Sequence, residues 1–324
     1  MKTGLYFDLR NPARWQQDPA RLHAFTLELC EEADRLGIDS LWFTEHHKFD
    51  DGYLTQPLTF AAAVAARTAQ ARIGTAVLVA PLHHPAKLAE EAALVDLVSG
   101  GRLDLGLGAG YRIPEYELYG VSDRRRYHET DSRVGQLRAL WGDGGVTPQP
   151  IQDPVPIWLG YLGPQGARRA GTLGVGLLTA NAQRWPDYRD ALSAAGHDVN
   201  DARMAGGIQG WVSDDPEADW PWVSTHLAYQ LDSYRRHMVE GTDARLPRPV
   251  DPNQVRDRDP GTSLDYFFYG TSTTVVEKVR RYTEGAPVDT VYFWASLGGM
   301  SEARARANVH TICTVVAPAL RQLS

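Results

Sequence analysis

The sequence predicts a (β/α)8 barrel, a single α/β domain over residues 1–324. Three observations point there. Eight short β-rich runs alternate with longer segments of helical period, no linker splits the pattern, and 324 residues suit one barrel with insertions.

Taken in order, Gly4–Phe7 is the first strand. From Pro19 the apolar positions Leu22, Phe25, Leu29 and Leu36 trace a helical stripe that Gly37 ends. Ser40–Phe43 is the second strand, and the Ala-rich helix Pro57–Ala69 could be buried on both faces. Arg72–Val79 and helix Pro85–Val98 form the third unit. Arg102–Leu107 is followed by a long loop and a helix over about Arg126–Trp141. Strand Pro156–Leu159 with helix Gln165–Thr172, and strand Val175–Thr179 with helix Trp185–Ala195, make the next two. Met204–Val212 and helix Trp220–Val239 are the seventh, with Phe267–Tyr269 a short extra strand and Thr273–Thr283 an additional helix. Thr290–Trp294 and Glu302–Leu320 close the series. One stretch breaks the pattern. Gly241–Thr262 is rich in proline and charge but poor in apolar residues, and reads as a lid or a disordered insertion before the last unit.

Composition narrows the function. With 43% hydrophobic and 23% charged residues the chain is globular rather than disordered or a disulfide scaffold. A net charge of -7 argues against a nucleic-acid partner, which needs a basic face. Cys30 and Cys313 are too few for a metal knuckle and read as small hydrophobes. Charge interrupts Met1–Asp8 too early for a signal peptide, and no apolar run reaches membrane-spanning length, so a cytoplasmic protein with no membrane partner is expected.

In a barrel, polar residues just after a strand lie on the active face. The second strand runs into Thr44-Glu45-His46-His47, and the third into His83-His84-Pro85. Some of these histidines could simply cap helices, which is an even alternative for His47 and His83. A metal site is the weaker reading, because strand one carries no His-x-His pair and no helical His-x-x-x-His supplies ligands. His46 better fits a histidine held beside a cofactor as general acid/base or hydrogen-bond donor. The fourth strand ends Gly106-Leu107-Gly108-Ala109-Gly110-Tyr111, where glycines let a flat or phosphorylated ligand approach the backbone. Arg112-Ile113-Pro114 then departs from a dinucleotide fingerprint, and a tight rim turn is the plainer alternative. Leu162-Gly163-Pro164-Gln165-Gly166 opens a helix whose exposed amides suit a phosphate. Arg125 or Arg126 could add a charge-assisted clamp, or could be a solvated helix end.

Together these residues resemble the bacterial-luciferase-like flavin monooxygenases over nearly the whole chain. The resemblance is strongest from Trp42 to Gly120: Thr44-Glu45-His46-His47, Pro57 and the Ala-rich helix, Ile73-Gly74-Thr75-Ala76-Val77, His84-Pro85, Glu90-Glu91, Asp96, Gly101-Arg102-Leu103 and Tyr119-Gly120. It is looser through Gly163–Arg169, Gly270-Thr271 and Leu297-Gly298-Gly299-Met300. It implies a barrel that binds reduced FMN from a separate flavin reductase, activates O2 as a C4a-(hydro)peroxyflavin and oxygenates a small organic substrate. It also implies that His46 lies close to the flavin and that Ala76 and Val77, joined by a cis bond, run along the ring. Gly108, Gly110 and Tyr111 would border the ring, and Leu162, Gly163, Gln165 and Gly166 would hold the phosphate. Gly108 and Ala109 stand where luciferases carry a reactive cysteine and a phosphate-binding arginine, so a non-luminescent member is implied, with the phosphate load on Arg125 or Arg126. Oxidoreductases that use the deazaflavin F420 share the barrel, and their Arg-x-x-x-Glu segment resembles Arg125–Glu129 equally well. A flavin-binding protein without turnover is a third reading. The small-residue helices Pro57–Ala69 and Pro85–Val98 predict a homodimer.

Overall fold

A computed structural model describes residues 1–142, 145–255 and 267–322. Eight parallel strands close into a barrel. They are β1 Lys2–Phe7, β2 Ser40–Phe43, a third strand in two pieces (β3 Arg72–Thr75 and β4 Leu78–Val79), β5 Leu103–Gly108, β6 Ile157–Leu159, β7 Gly176–Leu178, β8 Met204–Ile208 and β11 Val288–Trp294. β11 pairs with β1, setting Tyr6 opposite both Trp42 and Trp294. Around the closed ring, β1 and β6 lie diametrically opposite, four steps apart by either route. The helices are α1 Pro19–Arg35, α2 Pro57–Ala65, α3 Pro85–Ser99, α4 Ile113–Tyr119, α5 Arg126–Gly142, α6 Gly163–Leu173, α7 Trp185–Ala194, α8 Pro216–Val239, α9 Ser272–Thr283, α10 Glu302–Thr311 and α11 Ala317–Arg321. No helix among the described residues is long and apolar enough to cross a membrane.

Strand alternation explains the two-layered core. Leu5, Leu41, Phe43, Ile73, Leu105, Leu107, Leu159 and Phe293 point outward into the layer beneath the helices. The alternate positions fill the barrel with Trp42, Trp158, Leu178, Ala205 and Tyr292. Trp42 stacks on Tyr292 at 4.8 Å and meets Trp158 edge-on at 6.4 Å. Their bulk is accommodated by Gly74 and Gly176, since a Cβ there would stand 2.3 Å and 2.2 Å from the Trp42 and Trp158 rings.

Several expected elements change. The long loop after the fourth strand contains α4, started by Pro114 near its first turn and stopped by left-handed Gly120. The Ala-rich helix ends at Ala65, and its Thr59 and Ala63 face solvent, so only one side is buried. The run Met204–Val212 divides: β8 stays in the barrel, whereas β9 Gly210–Val212 leaves it to pair with β10 Phe268–Gly270. The last helix is interrupted by a π-helical stretch, Ile312–Val316. The stretch expected as a lid or insertion packs along α8 as far as Val255. There the Val250 amide donates to Asp232 at 2.8 Å and Arg235 donates to the Arg248 carbonyl at 3.1 Å. Positions 256–262 lie outside the described residues.

Candidate active site at the barrel mouth

The loops after β2 and β5 converge on His46, and the loop after β1 packs beneath them through Arg10. Two residues in them hold left-handed backbone without being glycine, Leu9 (φ 56°) and Lys48 (φ 55°), strain that packing must sustain. His46 is 8% exposed. Its Nδ1 lies 2.8 Å from Glu115 Oε1, on the residue directly after the α4 proline. Its Nε2 lies 3.4 Å from the Tyr111 hydroxyl. A carboxylate only accepts, so Nδ1–H donates to Glu115 and Nε2 is left as the acceptor for the Tyr111 O–H. Although Tyr111 is 36% exposed, desolvation of its hydroxyl, with Tyr234 and Glu115 nearby, pushes the phenol above its ordinary range and keeps it a donor. Glu115 is fully buried, also accepts from the His47 amide at 2.9 Å, and has one oxygen without a partner among the described residues. Phe49 stacks on His46 at 4.6 Å and on His237 at 3.8 Å.

Glu45 turns away from this pair. It accepts from His47 Nε2 at 2.9 Å, His83 Nε2 at 2.8 Å and the Val79 amide at 2.5 Å. Burial alone would raise its carboxyl. The bonds from His47 and His83, with the Val79 amide, overcome that and hold it below the usual carboxylate range. Through Glu45, His47 and His83 thus clamp the β2 loop to the third strand. Among the described residues, no group of three or more His, Cys, Asp or Glu is placed to hold a metal ion.

The expected cis bond is present at Ala76–Val77, and both residues are half-buried at the mouth above the Trp42 and Tyr292 layer. Gly108 lies beside them, and a Cβ there would stand 2.3 Å from Val77 Cγ2. Gly110 makes the left-handed turn that brings Tyr111 to His46. Beside them, after the adjoining strand β6, Leu162 precedes α6 without any side-chain cap, so the Gln165 amide has no side chain to satisfy it, whereas the Gly166 amide expected at the phosphate closes the first helical turn onto the Leu162 carbonyl. Gly163 is left-handed, with open space where a side chain would stand. Arg126 is half-buried over the Tyr127 ring at 5.0 Å, and its Nε has no partner among the described residues. Arg125 is exposed. An uncapped helix start, an orphaned guanidinium nitrogen and a flat half-open floor fit a planar cofactor with a phosphate at one end.

A family model described as luciferase-like monooxygenase matches residues 1–289. The chain belongs to the luciferase-like monooxygenase family. Among its relatives is the oxygenase component of a flavin-dependent trigonelline monooxygenase from Acinetobacter baylyi, 34% identical over 165 residues, 46% of each chain. An F420-dependent glucose-6-phosphate dehydrogenase from Amycolatopsis mediterranei is 28% identical over 190 residues, 52% of this chain and 57% of that one. The matches thus span about half the length of these curated relatives. A solved monooxygenase from Streptomyces bottropensis superposes with a TM-score of 0.78 at 23% identity, covering 98% of this chain and 99% of that one, which shows the shared barrel.

Within this luciferase-like site, sequence reasoning missed Glu115, Arg112 and the tyrosines Tyr6, Tyr53 and Tyr234. Arg112 is buried and donates to the His47 and Lys48 carbonyls and to Glu240 at the end of α8, tying the His46 loop to that helix. One signal was available for Glu115: Pro114-Glu115 is a helix start with an acidic first turn.

Proposed function

We propose that this chain is the oxygenase of a two-component, FMN-dependent monooxygenase that takes reduced FMN from a separate reductase and oxygenates a small organic substrate in the cytoplasm. The observation that carries this reading is His46, held on Nδ1 by buried Glu115 and faced on Nε2 by Tyr111, beside the Ala76–Val77 floor. The relative named as an oxygenase component supports the separate reductase. Reduced FMN, when bound, supplies the two electrons with which O2 is activated. Leu162, Gly163 and Gln165 would hold its phosphate, with Gly166 packed on Tyr161 behind them and Arg126 and the exposed Arg125 adding charge. Ala76, Val77, Gly108, Gly110 and Tyr111 would border its ring. His46 Nε2 holds or hands over the proton at the reacting edge, and Glu115 fixes the tautomer and stabilises the imidazolium.

The F420-dependent relative supports a second reading, hydride transfer from F420 with His46 as proton donor to the substrate. Anaerobic titration of reduced FMN and reduced F420 into the protein separates the two. Tighter FMN binding, followed by reoxidation coupled to product, is the expected result. F420 preference with no FMN binding would overturn the monooxygenase. In the same titration Arg126→Ala should weaken FMN about tenfold and leave riboflavin, which lacks the phosphate, unchanged.

We further propose a homodimer through α2 and α3. Ala63 on α2 and Leu94 and Val98 on α3 are exposed, and the two α3 side chains are 54% and 46% accessible one helical turn apart. Sedimentation at micromolar concentration should give a dimer that Leu94→Glu converts to monomer. A wild-type monomer would exclude it.

A further inference from the structure

From the hydroxyl cluster formed by Tyr6, Tyr53 and Tyr234, we infer that this site takes a substrate with a neutral carbonyl oxygen, a ketone, and orients it by hydrogen bonds from Tyr6 and Tyr234. The inference rests on the proposed oxygenase reading.

Tyr53 sits at the centre. Its hydroxyl is 3.1 Å from that of Tyr6 and 3.0 Å from that of Tyr234, and it donates to Thr44 Oγ1 at 3.4 Å. Tyr53 is buried, whereas Tyr6 and Tyr234 are half-buried and border the mouth. Each of these two hydroxyls can rotate its proton from Tyr53 onto an acceptor in the mouth. Burial pushes the phenols of Tyr6 and Tyr53 well above their ordinary range, so these two are donors and not bases. Neither deprotonates a substrate.

The place is suitable. Tyr53 meets the His46 ring edge-on at 4.8 Å, and Tyr234 lies 6.4 Å from it. Tyr6 stacks on Tyr292 at 6.1 Å, within the cluster that also holds Ala76 and Val77. β1, which carries Tyr6, stands across the barrel from β6, whose following loop forms the candidate phosphate site. A ring system anchored at β6 and reaching over the mouth would place the substrate between His46 and these tyrosines.

The charge beneath the cluster selects a neutral oxygen over a carboxylate. The Arg10 guanidinium lies 4.6 Å from the Tyr53 ring centre and 4.3 Å from that of Tyr234, which fixes both rings and strengthens their O–H groups as donors. Arg10 is already matched by two buried carboxylates, Asp8 at 3.2 Å and Asp51 at 2.8 Å. Its side chain is fully buried, so it offers no cation to a ligand. An anionic substrate would find no free counter-charge beneath the cluster. A carbonyl needs only the two phenols.

The test is equilibrium dialysis of three probes of similar shape, 1-tetralone, 1-naphthoate and tetralin, against the full chain with and without FMN. Infrared spectra of carbonyl-labelled tetralone are recorded in parallel. Tetralone should bind more tightly than either other probe, and its carbonyl band should move to lower wavenumber on binding. Tyr6→Phe and Tyr234→Phe should each weaken tetralone about 3- to 10-fold, leave tetralin unchanged and reverse part of the band shift. The two variants are independent and conservative, so either one tests the idea if the other does not fold. Tighter naphthoate, equal tetralin, an unshifted carbonyl or no saturable tetralone binding would each overturn the proposal. Loss of the ketone preference with reduced FMN still bound removes this inference alone. Ketone binding in a protein that does not bind reduced FMN removes the oxygenase reading and leaves the ketone site standing.

Discussion

Replacing His46 by alanine should lower coupled product formation about 10²- to 10³-fold while changing reduced-FMN affinity less than about threefold. The split follows from where the ring sits. His46 contacts Glu115, Tyr111, Phe49 and Tyr53, and none of the residues at the α6 end that would hold a phosphate. Its loss removes the acceptor nitrogen at the mouth and leaves the proposed phosphate site at α6 untouched. Electrons should then leave the reduced flavin unproductively, so oxygen uptake persists while product per reductant consumed falls. Glu115→Gln is the companion variant. It keeps the size of the side chain but can offer its amide nitrogen to His46, which disturbs the Nδ1–H tautomer, and a loss of about tenfold is expected. Simultaneous measurement of oxygen uptake and product decides the matter. Full coupling in His46→Ala with FMN bound would remove His46 from the chemistry.

The second large effect concerns stability. Glu45→Ala should destabilise the fold by about 3–5 kcal/mol, read as free energy from denaturant unfolding. Three buried donors converge on this carboxylate, from His47, His83 and the Val79 amide, and alanine leaves all of them without a partner. The pH dependence has a definite sign. The folded carboxyl is held below its ordinary value of 4.5, so its contribution is complete above that pH and is lost as pH falls through the lower folded value. The difference between wild type and Glu45→Ala should therefore be largest near neutrality and shrink in acid. A difference under about 1 kcal/mol at pH 7 would show that the clamp is not what holds the loop.

Much of this was readable locally. Ser40–Phe43 is a strand because four apolar or small residues precede an abrupt polar burst, and that burst is what marked Glu45, His46 and His47. Helix α1 runs from Pro19, as its apolar stripe predicts, and Gly37 follows its end. The uncapped, glycine-rich opening of α6 was legible for the same reason: a helix start is written in a few consecutive residues. α4 was not, because seven residues carry too little periodicity to stand out from a loop. With α4 went Glu115.

What the sequence by itself determined is the alternation of strands and helices, hence the barrel, and the residue types at each strand end, hence a polar mouth with His46 in it. Only the tertiary structure decided who meets whom there. His46 finds Glu115 across 69 positions, and Tyr53 finds Tyr234 across 181. It also separated the Glu-His-His run into two functions, with His46 facing the mouth and Glu45 clamping His47 and His83. The physical reason is the reach of each rule. Propensity, capping and hydrophobic period act over a few residues, whereas barrel closure sets β11 beside β1 and brings loops from distant parts of the chain to one rim.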